Sequence, residues 1–505
     1  MLNKHDGANA PPTCLNVNNT RQSSKALRSA TSLQPILVFE FFLNLNMNTN
    51  PQPEIAWNDR KKSLQCGSDR LDLHTQELAD VMQELGRCED SYAKIASDMA
   101  AGEHIYPLNE QKLAHLRNKD VAVYSSSDWD QPILWPVRYI PFGTLPPIER
   151  IQAVLKHDIG GANKFQFVPS LGTPEQDATA AAKLLDNICN PSYSEPGSIV
   201  RMQSPTLDKA RTQEFKWHAA GNLCHTPFLI KISPKNETTD VNYNDLTYTT
   251  TLLTGTKVWF TFPPRHSNLL LLRKEYTRLR GSATCTIFPH LAPKLQHGIA
   301  IVQKPGQTLM LPPFWSFVAF CTDTCVSAST HMATALKLLD RLEHIELYIS
   351  HIRMLPSKAA EQASYAHYAT SLAMHLDLVL NSGSADAQIK AEFRRVCNAW
   401  DKGAGTGPAG MLLKHLVAAL CACVEDGEEA GRLVGLFEGV WLRFLDGKRR
   451  KKSECRLCHV RIEGLEGEGS PTERLARHFR EVHLGVASQE AVRALLGEGE
   501  ARGGA

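Results

Sequence analysis

The stretch that decides the fold is LLTGTKVWFTFPP, residues 252–264, followed by IVQKPGQTLMLPPFW, residues 301–315. Both are short apolar runs bounded by Gly or Pro, a pattern typical of strands joined by turns. Pro305 and Gly306 occupy the central positions of a predicted type II turn, which we expect to join two strands as a hairpin. Similar runs occur in DWDQPILWPVRYIPF and KFQFVPSL. The series predicts a β-sandwich or barrel over residues 120–331.

The chain changes character on both sides of this segment. Upstream, Asn, Ser, Thr, Gln and Pro dominate and predict disorder, and a helical pattern then places Leu78 and Met82 on one face. Downstream, the apolar period becomes helical and predicts a bundle packed on the barrel. The predicted divisions are a disordered N-terminal region (1–67), a helical lead-in (68–119), the barrel (120–331), a helical domain (332–446), a basic linker (447–453), a zinc finger (454–486) and a flexible tail (487–505).

Composition limits the classes of function. The 505 residues carry a net charge of +2, so no global field favours nucleic acid or a membrane, and any such binding must be local. The 13 cysteines are an odd number without small-domain spacing, which favours a reduced intracellular compartment over a disulfide framework. The run ILVFEFF, residues 36–42, is too short to span a bilayer and lacks the flanks of a signal peptide. We therefore expect a protein that is neither secreted nor membrane-bound.

Over roughly residues 130–331, the segment resembles the JmjC family of cupin-fold oxygenases, which use Fe(II) and 2-oxoglutarate. The resemblance rests on a Thr-Pro before a strand, on GTKVWFTFPP and on IVQKPGQTLMLPPFW, in that order. It implies a double-stranded β-helix, so the predicted fold class is mixed: a JmjC-like barrel, an α-helical bundle and a small zinc finger. It also implies that Lys257, after the Gly of GTKVW, pairs with an acid such as 2-oxoglutarate; the alternative is a strand-end lysine.

The family's iron ligands are two His and one carboxylate, and this chain departs from them at each position. Where members read Thr-Pro-x-His-x-Asp, Leu229 and Lys231 stand at the His and carboxylate positions, and Phe317 stands at the late His position. Counting back from Gly255 instead gives Asn242 and Asn244. Leu and Phe lack a donor atom, and an ammonium repels Fe(II). The barrel therefore reads as a pseudo-oxygenase whose interior Leu229 and Phe317 fill, while an inward Lys231 would need a carboxylate partner or a lowered pKa.

Two alternatives stay open for the barrel. It could be an active hydroxylase or histone demethylase that assembles Fe(II) and 2-oxoglutarate from unaligned ligands, or a metal-free cupin that holds a small organic acid on Lys257 and Lys231. His297, Cys321 and Cys325 also lie in this region, and we expect the thiols to be buried and free. The unaligned ligands of the active alternative would be His218 or His225 with Asp240 and His331.

The C-terminal stretch CRLCHVRIEGLEGEGSPTERLARHFREVH resembles a C2H2 zinc finger. Two thiolates and two imidazoles in this order form the ligand set of a structural zinc site. Ser470 as N-cap, Pro471 at N1 and Glu473 at N3 predict a helix with a capping box. The gap between the Cys and His pairs is nineteen residues, longer than in most such fingers, so the segment carries an insertion. The insertion affects the expected contacts with DNA bases more than the expected zinc binding. The predicted zinc ligands are Cys455, Cys458, His478 and His483.

Five consecutive basic residues precede the finger and read as a nuclear-import signal or a phosphate-contacting patch. They are Lys448, Arg449, Arg450, Lys451 and Lys452. The leading hypothesis is therefore a catalytically inactive, JmjC-like nuclear protein that acts as an interaction scaffold, with DNA or chromatin proteins as partners and cytoplasmic residence as the alternative.

Overall fold

The structure is a computed structural model. It describes residues 78–83, 105–107, 131–135, 145–160, 165–168, 172–189, 197–210, 222–225, 228–279, 288–334, 337–355, 357–381, 387–401, 420–446, 455, 460–462, 469–478 and 481. The predicted disordered region, basic linker and tail lie outside these residues, and so do His218, Cys458 and His483.

The described strands run along the chain from residue 105 to residue 334. They are β1 Ile105–Pro107, β2 Ile133–Trp135, β3 Gln166–Val168, β4 Ser198–Gln203, β5 Asn222–His225, β6 Leu229–Ser233, β7 Asn242–Tyr243, β8 Thr247–Thr254, β9 Lys257–Phe262, β10 Gly298–Gln303, β11 Thr308–Leu311, β12 Ser316–Cys321 and β13 Cys325–Thr334.

The helices lie between and after these strands, and residues 78–83 are also helical. They are α1 Ile148–Gly160, α2 Pro174–Cys189, α3 Pro205–Lys209, α4 His266–Arg278, α5 Phe288–Leu291 with a 3-10 turn at Ala292–Lys294, α6 Leu338–Glu343, α7 Ile345–Ile352, α8 Lys358–Asn381, α9 Ala387–Asp401, α10 Gly427–Asp446 and α11 Pro471–His478.

Two mainly antiparallel sheets make up the β region, which confirms mixed α and β content. The first sheet has the order β1-β10-β9-β12-β7, and the second has the order β2-β11-β8-β13-β6-β4-β3, with β5 also on β13. These pairings do not close either sheet on itself. The chain passes repeatedly from one sheet to the other between β6 and β13.

The predicted turn at Pro305 and Gly306 is present, but the predicted hairpin is wrong. The Gln307 N–H donates to the Lys304 carbonyl at 3.0 Å, and Gly306 has φ +82°, as a type II turn requires. The flanking strands do not pair, because β10 belongs to the first sheet and β11 to the second. The turn therefore carries the chain across the sandwich.

The inner faces of the sheets pack on each other, and helices cover the outer faces. Trp259, Ile301 and Ala319 of the first sheet share one core with Leu309 and Leu311 of the second. Alternation turns Val258, Phe260 and Phe262 to the opposite face, where they pack on α4 and the 78–83 helix. Helices α1 and α2 cover the outer face of β6 and β13. The strand pattern predicted only strands and turns over residues 120–331, so these helices are additional to the prediction.

A separate core holds the helical region together. The apolar residues that predicted this bundle, among them Leu338, Leu342 and Ile349, are buried in it, and helices end near the predicted breaks at 354–357, 381–386 and 402–410. Helix α11 packs on α10 and adds Leu475 to the same core, together with Cys455. The described part of the finger segment therefore contributes side chains to the helical core.

Candidate ligand pocket between the sheets

Lys257 lies at one end of the space between the two sheets, where β9 begins. It is opposite Gln303 on β10 and Cys321 on β12, and it is only 2% exposed. Gly255 lets the chain enter β9 at this point, because its φ is +75° and a Cβ there would lie 2.7 Å from the Thr324 carbonyl oxygen. The local sequence thus places an ammonium group inside the sandwich.

The groups around Lys257 are polar, but their contacts with its ammonium are long. Its Nζ is 3.5 Å from the Ser327 hydroxyl, at the limit of a hydrogen bond, and 5.6 Å from the centre of the Trp259 ring. Within the described residues, no carboxylate forms an ion pair with it. Burial is the largest influence on Lys257 and lowers its pKa, but Cys321, Cys325, Tyr248 and Glu237 together outweigh burial and raise the pKa above its ordinary value.

The two thiols beside Lys257 are free and buried, as expected. Cys321 ends β12 and Cys325 begins β13, so the three residues between them connect the two sheets. A hydrogen bond from Cys325 lowers the pKa of Cys321 to about 7, with burial opposing and Lys257 assisting. Burial raises the pKa of Cys325. At pH 7 the Cys321 thiol is therefore partly ionised beside Lys257.

Lys231 also lies on this inner face, and its predicted need for a carboxylate is met. Its Nζ is 2.7 Å from Glu237 Oε1, and the two side chains are 26% and 20% exposed. Glu237 reaches the site because its own carbonyl accepts from the Cys321 N–H at 3.0 Å. Its Oε2 is buried without a hydrogen-bond partner. The two lysines thus differ, because Lys231 forms an ion pair with Glu237, whereas Glu237 acts on Lys257 only after the two sulfurs and Tyr248.

A network of hydrogen bonds joins the inner faces of the two sheets beyond Lys257. The Trp259 indole N–H donates to Gln303 Oε1 at 2.9 Å, and Gln303 Nε2 donates to the Thr250 carbonyl at 2.8 Å. The hydroxyl of Ser329 donates to the Thr250 hydroxyl at 3.0 Å and also meets the Tyr248 hydroxyl at 2.8 Å. These side chains are partnered, so they set the shape of the pocket.

The alternative register, Asn242 and Asn244, lies at the other end of the sandwich, where Asn242 is exposed and its Oδ1 accepts from the Tyr243 N–H at 2.8 Å. Asn242 on β7 is directly opposite Phe317 on β12, whose ring stacks on Tyr248 at 5.8 Å. Asn244 Oδ1 is 3.1 Å from His331 Nε2, while its Nδ2 is buried without a hydrogen-bond partner. Burial lowers the pKa of His331, which keeps the ring neutral. The structure therefore places Phe317 opposite Asn242 and not beside Leu229 and Lys231, the other residues proposed for the ligand positions.

Leu229 and Lys231 are on β6, in the second sheet, where they are opposite Ser329 and Ser327 of β13. They are thus in a different sheet from Phe317. Of the unaligned ligands, His225 ends β5 opposite Met332, and Asp240 Oδ1 accepts from the Val241 N–H at 2.8 Å. His297 lies outside the strands with φ +59°. In the described part of the chain, no three His, Cys, Asp or Glu side chains form a group suited to a metal ion.

The finger segment is described in part. The predicted capping box is confirmed: the Ser470 N–H donates to Glu473 Oε2 at 2.5 Å, and the Glu473 N–H donates to the Ser470 hydroxyl at 3.3 Å. Helix α11 begins at Pro471. Cys455 is buried, and its N–H donates to the Val460 carbonyl at 2.9 Å. Because Cys458 and His483 lie outside the described residues, the four-ligand zinc site stays a prediction, and so does the role of Lys448–Lys452.

The sequence pattern did not indicate Glu237 or Ser327, which surround the two lysines. Each reaches the pocket through pairing with a distant strand, so no local spacing identifies it. The helices of the described residues include none that is both long and apolar enough to cross a membrane.

Comparison with known proteins adds no family. No model of a protein family matches this sequence, and no curated protein matches it. The resemblance to JmjC proteins rests on the motifs of this chain alone.

Proposed function

We propose that this chain is a JmjC-like pseudo-oxygenase whose β-sandwich binds a small organic acid without a redox metal. The observation that carries the proposal is Lys257, a buried ammonium inside the sandwich with no carboxylate paired to it among the described residues. The sulfurs of Cys321 and Cys325, Tyr248 and Glu237 favour this ammonium in the empty protein, and an acid ligand would act as a closer counter-charge. Two lysines against one carboxylate, Glu237, leave this end of the pocket one positive charge in excess when the thiols are neutral.

The order of strand pairing supports a double-stranded β-helix. Strands β6, β8, β11 and β13 pair in one sheet, and β7, β9, β10 and β12 pair in the other. Strand β7, which carries Asn242 of the alternative register, pairs with β12, which carries Phe317, so two of the positions that this register assigns to iron ligands are opposite each other.

The side chains at these places do not fit Fe(II). Phe317 offers no donor atom, and Asn242 and Asn244 offer neutral amides in place of the family's imidazole and carboxylate. Leu229 and Lys231 are no better. These positions therefore lack the two His and one carboxylate that would hold iron for oxygen activation. The function that we propose for the site is acid binding without oxidation.

The helical region supports a scaffold role for the remainder of the chain. Leu475 and Cys455 lie in the helical core, so a zinc ion held by Cys455, Cys458, His478 and His483 would stabilise that core. Zinc supplies structure at such a site and takes no part in chemistry. Nuclear residence, through Lys448–Lys452, and contact with DNA or chromatin proteins belong to the same proposal.

Thermal unfolding with 2-oxoglutarate or succinate in the presence of a chelator tests acid binding. We expect both acids to raise the melting temperature of the wild-type protein and to have no effect on Lys257→Met. Lys235→Met is the matched control, because Lys235 is an exposed lysine two residues before Glu237 and should retain the shift. A second variant, Lys257→Arg, keeps the charge and should keep part of the shift.

Two results would contradict the proposal. One is an acid shift of equal size in wild-type protein and Lys257→Met. The other is iron-dependent conversion of 2-oxoglutarate to succinate that is lost on changing His225 or His331, which would favour the active oxygenase.

A further inference from the structure

Helix α4 covers the outer face of the first sheet and presents positive charge on its other side. Leu272 and Tyr276 are buried against the sheet. The exposed side chains of the helix include no Asp or Glu, and its exposed Lys and Arg residues are Arg273, Lys274 and Arg278. The one acid of the helix, Glu275, is less exposed and pairs with Arg278 at 2.8 Å. The solvent side of α4 is therefore basic.

The 3-10 turn Ala292–Lys294 extends this basic side next to the first turn of α4. Asn268 holds the two together, because its Nδ2 donates to the Gln296 carbonyl and its Oδ1 accepts from the Gln296 N–H, each at 3.0 Å. Lys294 is exposed at the end of the turn, and Arg265 is exposed immediately before α4. The turn therefore places a further ammonium beside the helix.

Most of these cations have no counter-charge in the described part of the chain. Arg273 pairs with Glu346 of α7, and Arg278 pairs with Glu275. Within the described residues, the other three cations form no ion pair. We call the five cations the α4 surface, and they are Arg265, Arg273, Lys274, Arg278 and Lys294. Five cations against two carboxylates leave this surface three positive charges in excess, although the whole chain carries only +2.

The arrangement fits a row of phosphates better than an apolar partner. Residues 265–278 span about 20 Å along the helix axis, and one DNA strand presents a phosphate about every 3.4 Å along its axis. Leu270, at 40% exposed, is the one large apolar side chain that α4 exposes. Protein interfaces and membrane-surface helices depend on several apolar or aromatic anchors, which this surface does not offer. Charge complementarity therefore selects a polyanion.

We propose that the α4 surface binds the phosphate backbone of duplex DNA without reading the base sequence. The inference rests on the DNA contact in the proposed function and names a surface for it. It is independent of acid binding, because α4 lies on the outer face of the first sheet and Lys257 lies between the sheets. Phosphate contacts position a protein on DNA and carry no sequence information, and they weaken steeply with salt.

Fluorescence anisotropy of the full-length protein with a labelled duplex of about 20 base pairs, at about 50 to 200 mM salt, tests the proposal. The variant Arg265→Gln/Lys274→Gln/Lys294→Gln removes the three unpaired cations. We expect it to bind about tenfold more weakly at the lowest salt, with a salt slope of the affinity that is shallower by about 2 to 3. Because all three side chains are exposed, its melting temperature should match that of the wild type, which shows that the variant is folded.

The chain offers a matched control variant, Arg150→Gln/Lys183→Gln/Lys209→Gln. These residues are exposed on α1, α2 and α3, which pack on the second sheet, so the same charge is removed from another side of the molecule. We expect its affinity for DNA to stay within about twofold of the wild type. Lys274→Arg/Lys294→Arg keeps the charge and should keep the affinity.

Equal losses in the two triple variants would overturn the proposal, because binding would then follow total charge. Wild-type affinity in the α4 variant would also overturn it and would leave the DNA contact to Lys448–Lys452 or the finger. If the wild type binds no duplex, this inference and the DNA contact in the proposed function both fail. Binding to polyglutamate or to anionic lipid vesicles without binding to DNA would assign the surface to another class of partner. Acid binding is decided separately by thermal unfolding.

Discussion

At the residue scale, two lysines lie on the inner face of the sandwich, and both should contribute to stability. Lys231 is held by Glu237, whereas Lys257 contacts Ser327 at 3.5 Å and the neighbouring sulfurs. The pKa of Lys257 is raised, so the folded protein favours its ammonium although the side chain is buried. Removing each ammonium in turn compares the two contributions.

We expect Lys257→Met to lower the free energy of unfolding by about 1 kcal/mol at pH 7, because the raised pKa of Lys257 means that its surroundings favour the ammonium in the folded protein. Lys231→Met should lower it by about 1 kcal/mol or more, since Glu237 would keep its charge without a cation. Urea denaturation of the ligand-free protein at pH 7 measures both. A gain of stability in Lys257→Met would show that its charge is not compensated in the empty protein.

The elements show why some features could be predicted from the sequence and others could not. The cap of α11 and the turn at Pro305 and Gly306 each depend on residues within one short segment, so their residue types identify them. The pairing of β7 with β12 is only two residues long and joins distant parts of the chain. Counting along the sequence left two registers open, and only the sheet pairing brings Asn242 to Phe317. The hairpin prediction failed for the same reason, because a turn does not determine which strands its arms join.

The turn between β10 and β11 is the element on which the crossing between sheets depends. Its Gly306 has φ +82° and donates its N–H to the Leu252 carbonyl at 2.7 Å, so the backbone is held in a conformation that side chains disfavour. We expect Gly306→Ala to lower the free energy of unfolding by about 1–2 kcal/mol, the usual cost of the left-handed conformation.

Gly306→Asn is the control for the turn, because Asn tolerates positive φ better than other residues with side chains, and it should cost clearly less than Ala. Urea denaturation of both variants gives the comparison. Equal costs would point to a clash of the added Cβ rather than to the backbone conformation.

At the scale of the whole molecule, one buried cation joins the β-sandwich to the helices. Arg341 of α6 is 1% exposed and holds Asp245, next to Asn244 at the other end of the sandwich, with its Nε 2.8 Å from Asp245 Oδ2. It also donates to the Ser371 hydroxyl of α8 at 3.1 Å and lies over the Tyr368 ring at 5.0 Å. Asp245 and the helical region therefore share a buried charged contact, which the helical periodicity that predicted the bundle does not reveal.

Breaking this contact on one side should be expensive. We expect Arg341→Met to lower the free energy of unfolding by about 3–5 kcal/mol, because Asp245 would remain half-buried with its charge uncompensated. Asp245→Leu should have a similar effect, while the double variant should cost far less than the sum, since neither charge is then left alone. A double-mutant cycle in urea measures the coupling. Additive costs would show that this ion pair does not couple the helices to the sandwich, and the aromatic contacts of Tyr243 with His351 and of Phe314 with His344 would then carry the interface.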